Sequence, residues 1–324
     1  MTTSATARAF ANIAFIKYWG NRDDELRLPA NPSLSMNLDG LYAQTRVIWD
    51  DNLTDDSLIL NDEPQRGKAL ERVSRHLDIM RQRLCIQSRA QVISHNNFPM
   101  GAGIASSAAA FAALTLAAAQ AGGVSLEERE LSALARRGSG SAARSIPSGF
   151  VVWHQGHDHE SSYAESVAAP DHWDLVDVIA IISAAHKATG SEDGHKTAAT
   201  SDLQVARVHG AQSRLETCLE ALRTRDFPLL AQVVEHDSNL MHAVMMTSRP
   251  PLFYWLPTTL AVMQAVRQWR AEGLNICYTL DAGPNVHCLC LSAEAPIIQE
   301  RLSSIPGVRQ IVSAKPGGAA KIIA

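Results

Sequence analysis

Apolar positions along this chain follow two rhythms. Short apolar runs bounded by Gly, Pro, Asn or Asp predict strands over residues 11–20, 45–49, 57–60, 90–94, 150–153, 173–182, 275–280 and 286–291, with a last one at 321–324. Longer segments with helical spacing or helix-favouring composition predict helices over about 61–83, 108–120, 126–137, 195–223, 227–240, 258–272 and 296–302. In the 61–83 segment Leu70, Val73, Leu77 and Met80 share one face, which assigns its Arg and Lys residues to a solvated face. The 108–120 segment is Ala-rich, so its helix propensity is high, and Gly122-Gly123 ends it. The last two long strands are spaced as a hairpin with Asp281 near the turn. Short strands and helices without regular alternation imply an α+β fold rather than a parallel sheet. The polar stretch 183–194 reads as a domain junction, which divides the chain into 1–187 and 188–324.

Between the 90–94 strand and the Ala-rich helix lies Asn96-Asn97-Phe98-Pro99-Met100-Gly101-Ala102-Gly103-Ile104-Ala105-Ser106-Ser107. Gly101 and Gly103 let the backbone turn tightly and approach a ligand. A helix start beyond such a loop offers unpaired N–H groups and a favourable dipole to an anion, and Ser106 and Ser107 add hydroxyls. The local pattern fits a phosphate cradle and a plain Ser cap equally well. A Walker A loop is excluded, because no Lys precedes the serines. A dinucleotide fingerprint is a poor match: Ser106 stands at its third Gly, and the acidic strand expected further on is replaced by a polar helix start.

Composition narrows the partners. The chain has 324 residues, 46% of them hydrophobic and 19% charged, enough for a large core and two domains. A net charge of −4 gives no general attraction to nucleic acid or anionic membrane, so any site for a polyanion must be locally positive. No apolar run has transmembrane length, the first residues lack a signal-peptide core, and the expectation is a cytoplasmic protein. The five cysteines form no Cys-x-x-Cys and read as reduced, mostly buried thiols.

Three further stretches carry chemistry. Lys17 and Tyr18 stand at the end of the first strand, where they either enter a cleft as a charge and a phenol or pack as a snorkelling Lys and a half-buried ring. Ser139, Ser141 and Arg144 follow a flexible Gly138-Ser-Gly-Ser turn, and the planar fork of Arg suits a carboxylate. The stretch containing His154, His157, His159 and Glu160 is His-rich, but its spacing matches no standard zinc pattern and it reads as a hairpin tip.

Taken in order, Asn12-Ile-Ala-Phe-Ile-Lys17-Tyr18-Trp19-Gly20, the Gly101/Gly103 loop, Gly138-Ser139-Gly140-Ser141-Ala-Ala-Arg144-Ser145, Gly149-Phe-Val-Val-Trp153, His242, Pro250-Pro251 and Asp281-Ala-Gly-Pro-Asn285 resemble the mevalonate diphosphate decarboxylase family of the GHMP kinase superfamily. The likeness runs from about residue 10 to 290. It implies a two-domain GHMP kinase-like fold with the active site in the inter-domain cleft, and a homodimer. It also implies ATP and Mg²⁺ as cofactors and a phosphorylated mevalonate as substrate. The family reaction phosphorylates the tertiary 3-hydroxyl, turning a poor leaving group into phosphate, which departs as CO2 is lost. By the resemblance Asp281 orients or deprotonates the hydroxyl, Arg144 holds the carboxylate and Lys17 offsets charge during transfer. Tyr18, Ser139 and Ser141 position the substrate phosphate end. Asn96, Gly101, Gly103, Ser106 and Ser107 cradle ATP, with Ser106 at the metal.

Two departures bear on the substrate. Asn21 stands where the family usually carries a second Lys, and Glu192 and His195 stand near positions where relatives carry Arg and Met. Losing a cation and gaining an acid predicts a substrate with one phosphate fewer, mevalonate 5-phosphate yielding isopentenyl phosphate, with His195 or Lys196 at the single phosphate. The alternatives are the diphosphate, with another cation such as Arg22 or Lys187 compensating, a mevalonate kinase that does not decarboxylate, and a non-catalytic nucleotide-binding module.

Overall fold

The computed structural model describes residues 2–98, 106–183 and 190–323, so Gly101, Gly103 and Lys187 lie outside the described residues. In chain order, the first half contains β1 (Thr2–Ile16), β2 (Asn21–Asp23), β3 (Leu28–Pro29), β4 (Ser33–Asp50), β5 (Ser57–Leu60), β6 (Glu63–Gln65), α1 (Lys68–Leu84) and β7 (Arg89–Asn96). It continues with α2 (Ser106–Ala121), α3 (Glu128–Gly138), a 3₁₀ turn (Gly140–Ser145), β8 (Phe150–Trp153) and β9 (Ala164–Ala168). Next come β10 (Leu175–Ile181), α4 (Ser191–Thr197), α5 (Gln204–His209), α6 (Ala211–Thr224), α7 (Phe227–Thr247) and α8 (Pro257–Ala271). The chain closes with β11 (Ile276–Thr279), β12 (Val286–Leu291), α9 (Ala295–Ser303), β13 (Gln310–Ala314) and β14 (Lys321–Ile323).

The first sheet runs β14-β1-β4-β7-β5-β6, with β8 paired to β4 and β9 to β8. Residues 9–16 of β1 are buried without alternation, because α2 covers one face of the sheet and the second half of the protein covers the other. The antiparallel register between β1 and β4 slips between Phe10 and Asn12 and again between Ala14 and Ile16. Such irregularities re-aim the residues after them, and here they directly precede Lys17.

α2 is buried on nearly all sides, and its alanines let its backbone lie close against β1 and β4. The Trp49 indole N–H reaches the Ala118 carbonyl at 3.1 Å. Ala117 has no exposed surface. Ala117→Leu is therefore expected to destabilise the fold by about 1–3 kcal/mol through overpacking, measurable as a lower denaturation midpoint.

The second sheet, β11-β12-β10-β13, is covered on one face by α8 and α9 through Val262, Val266, Ile298 and Leu302. On the other face Ile179, Cys277 and Leu289 pack with Leu222, Leu230 and Val234 of α6 and α7, and in the same cluster with Phe15, Met36 and Phe150 of the first sheet. One core therefore joins both sheets. The division is not linear in sequence: β10 precedes the expected boundary at 187/188 yet lies inside the second sheet, and β14 returns to pair with β1. Backbone pairing across the chain, invisible to loop composition, draws those limits.

Three expected helices differ in extent, the 227–240 helix running on to Thr247. The 61–83 helix begins at Lys68, because Glu63–Gln65 pairs with β5 and Gly67 turns with φ of 56°. The 195–223 helix is divided into α4, a 3₁₀ turn (Ala198–Thr200), α5 and α6. Cys218, Cys277, Cys288 and Cys290 are buried free thiols, and Cys85 is exposed.

Candidate active site

A cavity of about 720 Å³ opens between the two sheets' layers and gathers residues from β1, α1, α2, the 3₁₀ turn, α4, α7 and the segment after β11. Its cations are Lys17, Arg27, Lys68, Arg72, Arg75, Arg144 and Lys196, against Glu71, Glu192, Asp193 and Asp281, so this part of an acidic protein is locally positive.

Lys17 and Asp281, far apart in sequence, meet here: Lys17 Nζ lies 2.7 Å from Asp281 Oδ1. Lys17 is buried and Asp281 keeps 26% of its side chain accessible to the cleft. Burial works against the Asp281 charge, but Lys17, His287 and Arg144 outweigh it and hold the carboxyl below its usual range. Burial lowers the Lys17 ammonium, partly opposed by Asp281. The result is a buried cation beside a carboxylate that stays ionised.

Arg144 sits on the 3₁₀ turn with Nη1 donating to Ser33 Oγ at 2.8 Å and Nε donating to Asn12 Oδ1 at 3.3 Å. Asn12 in turn donates to Ser145 Oγ at 2.8 Å. Burial pulls the guanidinium down to about 10, so it remains a cation at neutral pH. Ser139, Ser141, Ser106 and Ser107 line the same cavity, and Ser107 Oγ lies 3.3 Å from Ser139 Oγ. The head of α2 and the serine turn thus converge on one place. Next to it, an apolar hollow of about 230 Å³ is lined by Leu58, Leu60, Val73, Val92, Phe111 and Leu114, with Asn96, Ser106 and Ser107 at its polar side.

The Tyr18 hydroxyl donates to Asn21 Oδ1, and its ring packs edge-on against Trp153 at 4.7 Å. His195 stacks on Tyr18 at 4.2 Å and lies 4.5 Å from Trp19, while its Nδ1 accepts the Gly20 N–H at 2.9 Å. Burial, with Arg27, Arg207 and Arg144 nearby, pushes the imidazole down to about 3. His195 therefore reaches the cavity wall as a neutral ring and brings no positive charge to a phosphate. Glu192 is not a lone acid. Arg27 Nη2 lies 2.8 Å and Arg72 Nε 3.6 Å from its oxygens. Burial opposes the Glu192 charge, but the two arginines hold its carboxyl below the usual range.

The basic face of α1 is a correction to the sequence reading. Lys68, Arg72 and Arg75 line the cavity instead of facing bulk water. Arg72 donates to the Gly138 carbonyl and to Ser107 Oγ, both at 3.0 Å. Their spacing of four and then three residues places them on one helical stripe, a signal present in the sequence. Arg22 bonds the Gly156 carbonyl and does not line the cavity. In the His-rich stretch His154 pairs with Glu165 and His159 with Arg136, and no metal-holding group occurs among the described residues.

Two buried histidines, His76 and His242, and the partly buried His195 are all pushed down to about 3, chiefly by desolvation. Their unfolded rings titrate near 6.5. Because the folded pKa is the lower one, the unfolded chain takes up protons first as pH falls. Their stabilising contribution is complete above about pH 6.5 and is lost progressively towards pH 3. The expected slope is about 1.4 kcal/mol per pH unit for each ring. Urea titrations at pH 7, 6 and 5 should show it, and His76→Phe should reduce the slope by about a third.

Comparison with known proteins places this architecture. Residues 9–164 match the diphosphomevalonate decarboxylase-like N-terminal domain, and residues 177–315 match the mevalonate 5-diphosphate decarboxylase C-terminal domain. The chain belongs to the diphosphomevalonate decarboxylase family, within the GHMP superfamily. Family members include the Homo sapiens diphosphomevalonate decarboxylase, 38% identical over 304 residues covering 87% of this chain and 75% of that protein. The Aspergillus fumigatus enzyme mvd1 is 36% identical over 94% of this chain and 80% of its own length. The crystal structure of mevalonate diphosphate decarboxylase from Staphylococcus aureus superposes with a TM-score of 0.96 at 37% identity, covering 100% of this chain and 99% of that one. A structure of MDDEF in complex with MVAPP, AMPPCP and magnesium gives 0.95 at 38% identity with the same coverage. The α+β, two-domain GHMP kinase-like fold of the family is the fold described above. Among the described residues no helix is long and apolar enough to cross a membrane.

Proposed function

We propose that this chain is an ATP-dependent carboxy-lyase that converts mevalonate 5-diphosphate to isopentenyl diphosphate, CO2, ADP and phosphate. The observation that carries the reading is the Lys17–Asp281 pair at 2.7 Å with Arg144 on the same positive cleft. Asp281 orients the 3-hydroxyl and takes its proton as the oxygen bonds the γ-phosphorus and the bond to ADP breaks. Lys17 stands beside Asp281 and stabilises charge that builds during the transfer. Arg144 holds the carboxylate. Phosphate then leaves with the C–O electron pair, the bond to CO2 breaks, and its electrons form the new C=C bond.

The cleft suits the co-substrate. The head of α2, Ser106, Ser107 and the α1 cations supply donors for the phosphates, and the adjoining apolar hollow has the character of a base pocket. Mg²⁺ beside Ser106 would neutralise phosphate charge. Tyr18, Ser139 and Ser141 serve the 5-phosphate end of the substrate.

Sequence alone favours the monophosphate, whereas the relatives are diphosphomevalonate decarboxylases, which supports the diphosphate. A physical reason supports the same choice. The charge deficit inferred from Asn21 and Glu192 is offset by Arg27 and Arg72, which hold the Glu192 carboxylate, and by Lys68 and Arg75 beyond them. The monophosphate retains one argument: Glu192 occupies donors of both arginines that a β-phosphate would otherwise use. The test is ADP and CO2 release with ATP, Mg²⁺ and mevalonate, its 5-phosphate or its 5-diphosphate. The expected result is equal ADP and CO2 with highest kcat/KM on the diphosphate. Preference for the 5-phosphate would restore the monophosphate reading, and ADP without CO2 would make the chain a kinase.

A further inference from the structure

Helix α7 touches the Lys17–Asp281 pair from behind, through residues the chemistry above leaves unused. Asp237 is wholly buried, and its Oδ2 accepts the peptide N–H of Lys17 at 2.6 Å. The next residue, Ser238, is also wholly buried, and its Oγ accepts the peptide N–H of Leu280, the neighbour of Asp281, at 3.0 Å. Lys17 and Leu280 each lie just past the end of a strand, β1 and β11, where the ladder no longer fixes the backbone. Successive residues on a helix point about 100° apart, so one rigid turn of α7 can grip two chain segments at once.

The grip is itself anchored. Arg214 of α6 donates from Nε to the other Asp237 oxygen at 2.7 Å. Arg207 of α5 donates from Nη2 to the Lys17 carbonyl at 2.7 Å, so both sides of the Lys17 peptide are held by charged groups from the second half of the chain. Buried backbone groups without water depend on such partners, and hydrogen bonds to ions are the stronger kind.

We propose that Asp237 and Ser238 are positioning residues that set the distance between Lys17 and Asp281, and so hold the pair ready for phosphoryl transfer. The kinetic consequence rests on the decarboxylase reading; the positioning itself does not. The charged and titratable groups facing Asp281 are Lys17 just past β1, Arg144 from the 3₁₀ turn, His287 from β12, His242 from α7 and His195 from α4. Of the cations among them, Lys17 is the one whose backbone α7 holds. If the grip loosens, Asp281 loses its nearest cation and protonates at higher pH.

The experiment titrates the Asp281 carboxyl by ¹³C-aspartate NMR in the full chain, its signal assigned with Asp281→Asn, alongside steady-state kinetics. Ser238→Ala and Asp237→Asn are expected to raise the Asp281 midpoint towards the ordinary value near 4. They should also lower kcat roughly 10- to 100-fold, with KM within about threefold. Ser238→Thr, which keeps the hydroxyl, should restore both. Val234→Ala, an apolar core change on the same helix, should lower Tm and leave the midpoint in place. An unmoved midpoint in Ser238→Ala overturns the proposal, as does an equal movement in Val234→Ala. If the wild-type chain turns over none of the three mevalonates, the decarboxylase reading falls, and the NMR midpoint still decides this one.

Discussion

Asp281→Asn is expected to cut turnover roughly 100- to 10,000-fold, the range for losing a positioned base. The amide keeps the shape of the side chain but cannot take the proton of the 3-hydroxyl, so KM for substrate and ATP should change little. Lys17→Met should fall by a comparable factor, because the same charge build-up loses its cation. The double variant should fall little further, since each residue acts through the other across 2.7 Å. The pH profile supplies a second reading. Lys17, His287 and Arg144 hold the Asp281 carboxyl low against burial. A base with a depressed pKa is active above it and lost as pH falls through it, so the wild-type acid limb should lie below the usual carboxylate range. In Lys17→Met that limb should move upward. His195 and His242, both at about 3, contribute no inflection between about pH 5 and 8. An Asp281→Asn enzyme retaining a third or more of wild-type kcat would remove the carboxylate from the chemistry.

Arg144→Lys should lower kcat/KM for the mevalonate substrate about 100-fold while leaving the Kd for ATP unchanged. The substitution keeps the charge and removes the fork. In the wild-type chain Ser33 and Asn12 fix Nη1 and Nε, so the plane of the guanidinium is set before substrate arrives. A lysine ammonium is a flexible point charge that cannot hold a carboxylate bidentately from the same buried place. Stopped-turnover assays of CO2 with an independent ATP titration separate the two effects. Equal losses in substrate and ATP affinity would mean that Arg144 supports the whole cleft instead of one carboxylate.

Much of this protein was legible before any coordinates. The strand ends at Lys17 and Asp281, the serine turn with Arg144 and the Ala-rich helix behind the glycine loop all carry local composition, and their motifs in order sufficed for the family. The α1 stripe was misread, although Lys68, Arg72 and Arg75 were visibly aligned. Helical spacing says which residues share a face and never what that face looks upon, and here it looks upon the cleft. The expectation drawn from Asn21 and Glu192 had the same limit. It counted charges along the chain, while Arg27 and Arg72 neutralise Glu192 only through space.

The division between the two levels follows from range. Local backbone preference, side-chain chemistry and apolar period act over a few residues, so the pattern of residues was enough for most of the longer helices and several of the core strands, the α+β class and the identity of the chemical groups. The meeting of Lys17 with Asp281 across 264 positions, the return of β14 to β1, and the hold of Asp237 and Ser238 on two strand ends were decided by the tertiary structure alone. Those contacts exist only once a core shared by both sheets has brought distant segments together, and burial then obliges each polar group to find its partner.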